Sequence, residues 1–202
     1  MTSASTTPSP ALTDEERTPL DLAISDLAAG SRTWAAMTVG QRVTLLRAVR
    51  LDVAAVAEDW ARTATESKSL PADHALRGEE WLGGPYGVLG ALDAYIETLS
   101  RIDAGANPLD GVRIDRAPGG RNRVHAFPLT RSDRILLSGF TGEVWLEPGV
   151  TPRAARAAAG LAQRTPTESG GVGLVLGAGN VPSIPVLDVL YELLAHNRVA
   201  LL

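Results

Sequence analysis

With 202 residues, 45% of them hydrophobic, the chain is long enough for one well-formed core, or for one core and part of a second. Its formal net charge of -4 argues against a dedicated nucleic-acid binder, and it contains no run of about 18 apolar residues that would cross a membrane. Cysteine is absent, which excludes disulfides, thiolate metal sites and a thiol nucleophile from these residues. Lys68 is the single lysine among 19 basic residues, a bias that genome composition explains better than function does.

Residues 1–18 are polar, lack a signal-peptide core and end acidic, so they read as a disordered tail on a cytoplasmic protein. A helical segment follows over 19–104. Leu20, Ala23, Ile24, Leu27 and Ala28 form a stripe that Gly30 interrupts. Thr38 with Gln41 three residues on matches a capping box, in which each side chain satisfies a backbone donor of the other. The helix it opens carries Leu46, Val49, Val53, Val56 and Trp60 at spacings of three and four, which marks a packing helix. Pro71 opens a shorter helix through Trp81. Gly83, Gly84 and Pro85 then punctuate the chain before a third stripe, Leu89, Leu92, Ile96 and Leu99.

Residues 105–150 change character. Val112 to Ile114, Val124 to Phe127, Ile135 to Leu137 and Glu143 to Leu146 are short β-like runs between Gly, Pro and Asp, predicting an irregular antiparallel layer. Residues 151–169 form a helix that Pro152 starts, running through Gln163 into a polar linker. The last stretch, 170–202, holds an apolar strand from Val172 to Leu176 and the turn Gly177, Ala178, Gly179, Asn180. A helix follows, with N-cap Ser183, the stripe Val186, Leu187, Leu190, Leu193 and Leu194, and a stop at Asn197. A second strand begins at Val199. Strand, glycine turn, helix, strand is one βαβ unit with parallel strands, so the fold class is α/β.

Taken on its own, Asn180 is a turn residue that tolerates unusual dihedrals. Gly177 and Gly179 lack the third glycine of a dinucleotide fingerprint, since Pro182 stands in its place. His74, His125 and His196 share no ligand spacing, so no metal site is expected. Arg113, Arg116, Arg121, Arg123, Arg131 and Arg134 read as solvated β-layer edges that resist edge-to-edge pairing. Trp34, Trp60, Trp81 and Trp145 read as core anchors, and Lys68 as a surface lysine.

The order of parts and the last thirty or so residues resemble the N-terminal portion of the aldehyde dehydrogenase superfamily. The words that carry it are Gly177, Ala178, Gly179, Asn180, Val181, Pro182 and, after the helix, Ala195 to Leu202. Glu66, Ser67 and Lys68 loosely match that family's Glu-x-Gly-Lys. The Gly-Ala-Gly in place of a Pro-aromatic pair is similar to the acyl-CoA reductase branch. The resemblance implies helices and a β layer leading into the first βαβ of a Rossmann-like cofactor domain, cut short. It implies Asn180 as the amide donor to an oxyanion, with Leu176, Gly177, Ala178 and Gly179 approached by NAD or NADP in a full-length parent. The implied substrate is a small aldehyde or an acyl thioester. No nucleic acid and no membrane are expected as partners, and homo-oligomerisation of the parent is open.

A second strand that stops at Leu202 reads as a truncated fold, because an isolated parallel pair is marginal. Without the cysteine nucleophile, this chain alone is expected to be inactive as a dehydrogenase. The alternative is a non-catalytic interaction module that binds a partner through the strand Val199 to Leu202.

Overall fold

The computed structural model describes residues 12–128, 130–164 and 170–202. Most of the tail and of the polar linker therefore lie outside the described residues. The chain is mixed α/β: helices α1 (Asp14–Ala36), α2 (Val39–Ala55), α3 (Ala57–Ser67), α4 (Arg77–Trp81) and α5 (Gly87–Asp103) come first. Strands β1 (Ile114–Arg116) and β2 (Asn122–Phe127), helix α6 (Arg131–Leu136) and strand β3 (Gly142–Trp145) follow. Helices α7 (Pro152–Ala158) and α8 (Leu161–Arg164) lead to strand β4 (Val172–Leu174), helix α9 (Ser183–Ala195) and strand β5 (Val199–Leu201). Among the described residues no helix is long and apolar enough to cross a membrane.

The core is helical. Trp34, Val43, Leu46, Val88, Leu92, Leu99, Leu190 and Leu194 are buried together, so α2 and α5 form its centre, α9 closes one side and the end of α1 reaches in. Each burial removes roughly 1.5–3 kcal/mol of apolar side chain from water. The expected α9 stripe is the face that packs: Leu190 and Leu194 are buried, with Val186, Leu187 and Leu193 against them. The indole N–H of Trp34 donates to the Leu193 carbonyl at 3.1 Å, fastening α1 to the same helix.

Local signals set several boundaries. The Thr38 capping box is formed in both directions, Gln41 N–H to the Thr38 hydroxyl at 3.2 Å and Thr38 N–H to the Gln41 amide oxygen at 2.8 Å. A second box, Thr13 with Glu16, starts α1 at Asp14, five residues ahead of Pro19, and the helix runs on through Gly30. The long stripe is broken at Val56, which ends α2 and stands 51% exposed, so Trp60 belongs to α3. Only Arg77–Trp81 of the helix expected from Pro71 forms. Gly160, at a positive φ of 69°, splits the helix after Pro152 into α7 and α8.

The β layer is antiparallel in the order β1-β2-β3, with Ile114 opposite Val124 and Val124 opposite Val144. Ile135 to Leu137 is not part of it. Thr130 and Asp133 form a third capping box there, and α6 takes the place of the expected strand. Strands β4 and β5 are parallel, in the register Val172 to Val199, Gly173 to Ala200 and Leu174 to Leu201. The βαβ unit is present as expected.

Candidate functional site

Strand β4 ends at Leu174, two residues before the Leu176 expected from the apolar run. One more ladder bond follows, from Val175 N–H to the Leu201 carbonyl at 2.8 Å. No further strand lies beside β4 among the described residues, so it is not buried on both faces: Leu174 is 66% and Leu176 80% exposed. The turn then crosses the carboxyl end of the pair, where open α/β sheets place their ligands. Ala178 is half-buried, whereas Gly177, Gly179 and Asn180 are exposed. The Asn180 amide therefore faces solvent.

The two glycines of the turn differ in what holds them. A Cβ on Gly177 would lie 3.0 Å from Pro185 Cγ, a tight contact that a side chain there could relieve only by shifting the turn or Pro185 by a few tenths of an ångström. A Cβ on Gly179 would meet nothing within 4 Å, and its φ is not in the left-handed region. Packing leaves Gly179 free to be another residue; an open backbone there suits a ligand that approaches closely.

Helix α9 begins directly after this turn, but Ser183 does not cap it. Pro182 occupies the cap position, and the Ser183 hydroxyl donates to the Gly83 carbonyl. Gly83 belongs to the kinked turn Leu82–Tyr86, in which Gly84 takes φ -112° and ψ -111°. The Trp60 indole lies against Gly84, where a Cβ would come within 3.4 Å of the indole nitrogen. Through these contacts the kink holds the start of α9 against α3. The helix start is a poor seat for a diphosphate. Pro182 and Pro185 have no N–H, and the Ile184 N–H is used by the Val181 carbonyl at 3.1 Å.

Between α3 and the turn runs a groove of about 470 Å³ lined by Val56, Asp59, Trp60, Thr63, Ala64, Ser67, Lys68, Gly179 and Pro182. Its volume lies within the range of small-molecule sites, about 300–1,000 Å³. Lys68 at one end is not a free surface lysine. Its ammonium is 2.6 Å from the carboxylate of Glu80, whose side chain is 5% exposed. Asp59 pairs with Arg62 at 2.9 Å and Glu66 with the same arginine at 3.0 Å. Of the residues singled out in the sequence, the groove brings Lys68 and Ser67 together with Gly179, beside Asn180. Glu80 and Thr63 carried no sequence signal: one sits in a five-residue helix, the other on the exposed side of a packing helix.

A second hollow, about 430 Å³, is bounded by Val39, Ile102, Asp103, Asn107, Gln163 and Arg164. Gln163 donates to the Leu194 carbonyl at 2.6 Å, which puts this hollow at the far end of α9 from Asn180.

Three of the six arginines, Arg113, Arg121 and Arg123, are in ion pairs. Arg123 bridges the sheet to Asp115 on β1 at 2.7 Å and Glu143 on β3 at 3.0 Å, and Arg113 reaches Asp115 at 2.6 Å. The Asp115 carboxyl is held well below the ordinary range, first by the Arg123 hydrogen bond, with desolvation opposing and His125 and Arg113 adding to it. Glu143 is lowered by the Trp145 indole N–H and by Arg123. Among the tryptophans Trp34 is buried and Trp60 packs against the core, while Trp81 and Trp145 are 46% and 45% exposed and lie outside the core, contrary to the expectation that all four anchor it. No group of three or more His, Asp or Glu side chains able to hold a metal occurs among the described residues.

No family model, curated protein or solved structure matches this chain.

Proposed function

We propose that this chain forms the first part of a cytoplasmic aldehyde dehydrogenase-like oxidoreductase, with the Rossmann-like βαβ of β4, α9 and β5 at its cofactor side. One observation carries the reading. Two of the stretches that resemble the family, Glu66 to Lys68 and Gly177 to Pro182, are remote in sequence, and Ser67 and Lys68 of the first line one groove with Gly179 and Pro182 of the second. Asn180 stands exposed beside that groove at the carboxyl end of β4. A neutral amide there donates to a carbonyl oxygen as it takes negative charge, without titrating. The carbonyl is that of an aldehyde or an acyl thioester.

The residues of the turn suit NAD or NADP approaching by its backbone at Leu176, Gly177, Ala178 and Gly179, since the space about Gly179 is open. When bound, that cofactor supplies hydride transfer. With Pro182 and Pro185 lacking an N–H and the Ile184 N–H taken by Val181, the turn suits the cofactor better than the helix end does. These 202 residues include no cysteine, so a thiolate nucleophile for this chemistry comes from outside them.

The test has two steps. Intact mass of the endogenous species carrying these peptides is expected well above 21.2 kDa. In that enzyme Asn180→Ala is expected to lower kcat by about a hundredfold or more with little change in KM. An unchanged kcat overturns the role of Asn180. A species at 21.2 kDa favours the second reading, a binding module, for which the specific support is the two-stranded parallel pair with Leu202 69% exposed.

A further inference from the structure

The segment 130–141 stands between β2 and β3 without joining the sheet, and it carries α6. A six-residue helix is too short to hold itself by backbone bonds alone. The Thr130 and Asp133 capping box starts it, and the Phe140 N–H on the Leu137 carbonyl, at 3.1 Å, closes the turn after it. Held this way, Ile135, Leu136 and Phe140 are 76%, 70% and 69% exposed. Side chains that bare stand out from the surface and line no groove.

The charge around them is unlike that on the sheet. There Arg113 and Arg123 meet Asp115, Arg123 also meets Glu143, and Arg121 meets Glu147. On the segment, Arg131 and Arg134 are exposed and take part in no ion pair among the described residues. Asp133, the segment's only acid, accepts the Thr130 N–H of the cap at 2.9 Å. Two unmatched guanidinium groups therefore accompany three bare apolar side chains.

We infer that this loop is where the protein rests on an anionic lipid surface, with Arg131 and Arg134 at the headgroups and Ile135, Leu136 and Phe140 at the edge of the acyl chains. A protein partner would have to offer a fitted pocket to a convex tip, and single-stranded nucleic acid is held by stacking, for which two of the three side chains, being aliphatic, are unsuited. A bilayer boundary takes both the cations and the aliphatic groups without fitted shape. The net charge of -4 turns the rest of the chain away from such a surface, so the loop is the end that approaches. The expectation of no membrane partner rests on the lack of a spanning segment, which a surface contact does not need. The inference is independent of the oxidoreductase reading.

The experiment measures co-sedimentation of the intact protein with vesicles of phosphatidylcholine containing about one-third phosphatidylglycerol, and with vesicles of phosphatidylcholine alone. Binding is expected to the first and not to the second, and to weaken as salt is raised. Arg131→Gln and Arg134→Gln are each expected to lower it about fivefold, and Ile135→Ser and Phe140→Ser each about tenfold or more. Phe140 lies outside the helix, so its variant covers the case in which circular dichroism shows that Ile135→Ser has unfolded α6. The absence of cysteine gives a second readout. A polarity-sensitive fluorophore on Leu136→Cys is expected to shift to the blue on the anionic vesicles, while the same label on Leu51→Cys, at a comparably exposed position on α2, is expected to stay in water.

No binding to the anionic vesicles at low salt, or binding that Arg134→Gln and Phe140→Ser leave intact, overturns the inference. So does a blue shift of the Leu51→Cys label without one at Leu136→Cys. A single-stranded oligonucleotide bound in place of the vesicles, with loss on Arg131→Gln and none on Phe140→Ser, gives the loop to a polyanion and overturns it as well. None of these readouts is an activity, so the result stands apart from the fate of Asn180.

Discussion

Lys68 at the end of α3 places its ammonium 2.6 Å from the buried carboxylate of Glu80 on α4, and this pair closes one end of the groove beside Gly179. The lysine is about one-third exposed, the glutamate hardly at all, so the penalty for losing the partner falls on Glu80. Lys68→Met is expected to cost about 1–3 kcal/mol in urea unfolding by leaving that carboxylate buried and unpaired. The double variant Lys68→Met/Glu80→Leu is expected to recover most of the loss. If the double variant is as unstable as the single one, the ion pair is not what holds α4 in place.

Arg42 is 1% exposed, stacks 4.5 Å above the Trp34 ring and donates to the Gln163 amide oxygen and the Trp34 carbonyl, each at 2.8 Å. Burial pulls its pKa below the ordinary arginine value. A lysine retains charge but neither the planar stack nor the two-pronged donor. Arg42→Lys is therefore expected to destabilise by about 1–3 kcal/mol and to weaken the near-ultraviolet signal of Trp34. Stability equal to the parent chain would show that the stack and the fork contribute nothing.

Asp115 titrates below its ordinary range in the folded chain, chiefly because Arg123 hydrogen-bonds to its ionised form. With the folded pKa depressed, the contribution to stability is fully present above the unfolded aspartate value and is lost as pH falls through it toward the folded one. The urea midpoint is expected to drop between about pH 5 and pH 2, and Asp115→Asn is expected to flatten that drop. An identical acid profile in the variant would remove Asp115 from the account.

Gly177 and Gly179 make a paired test of the turn. Gly177→Ala forces its Cβ against Pro185 and is expected to cost about 1 kcal/mol or more. Gly179→Ala meets open space and is expected to change thermal stability by less than about 0.5 kcal/mol. Equal losses at both positions would mean that Gly179 is also held by packing, and the argument for a close-approaching ligand there would fall.

What could be read from residues within a few positions of one another was legible. Thr38 and Gln41 specify a helix start because their two hydrogen bonds close within one turn. The α9 stripe and the apolar runs on either side give the βαβ unit for the same reason. The apolar run Ile135 to Leu137 predicts a strand, yet Thr130 and Asp133 ahead of it form a capping box and the segment is helical, because the cap satisfies backbone donors that a lone exposed run cannot.

The sequence by itself determined the Thr38 helix start, the packing stripe of α9, the parallel pair and the position of Asn180 in a turn after β4. Only the tertiary structure decided what stands opposite that turn. The Ser183 hydroxyl reaches Gly83 across 100 residues, and Lys68, paired with Glu80, lines one groove with Gly179. Such pairings follow from the packing of α3, the Gly84 kink and α9 on a shared core. A hydrophobic stripe states that a face will be buried, and leaves open which face it will meet.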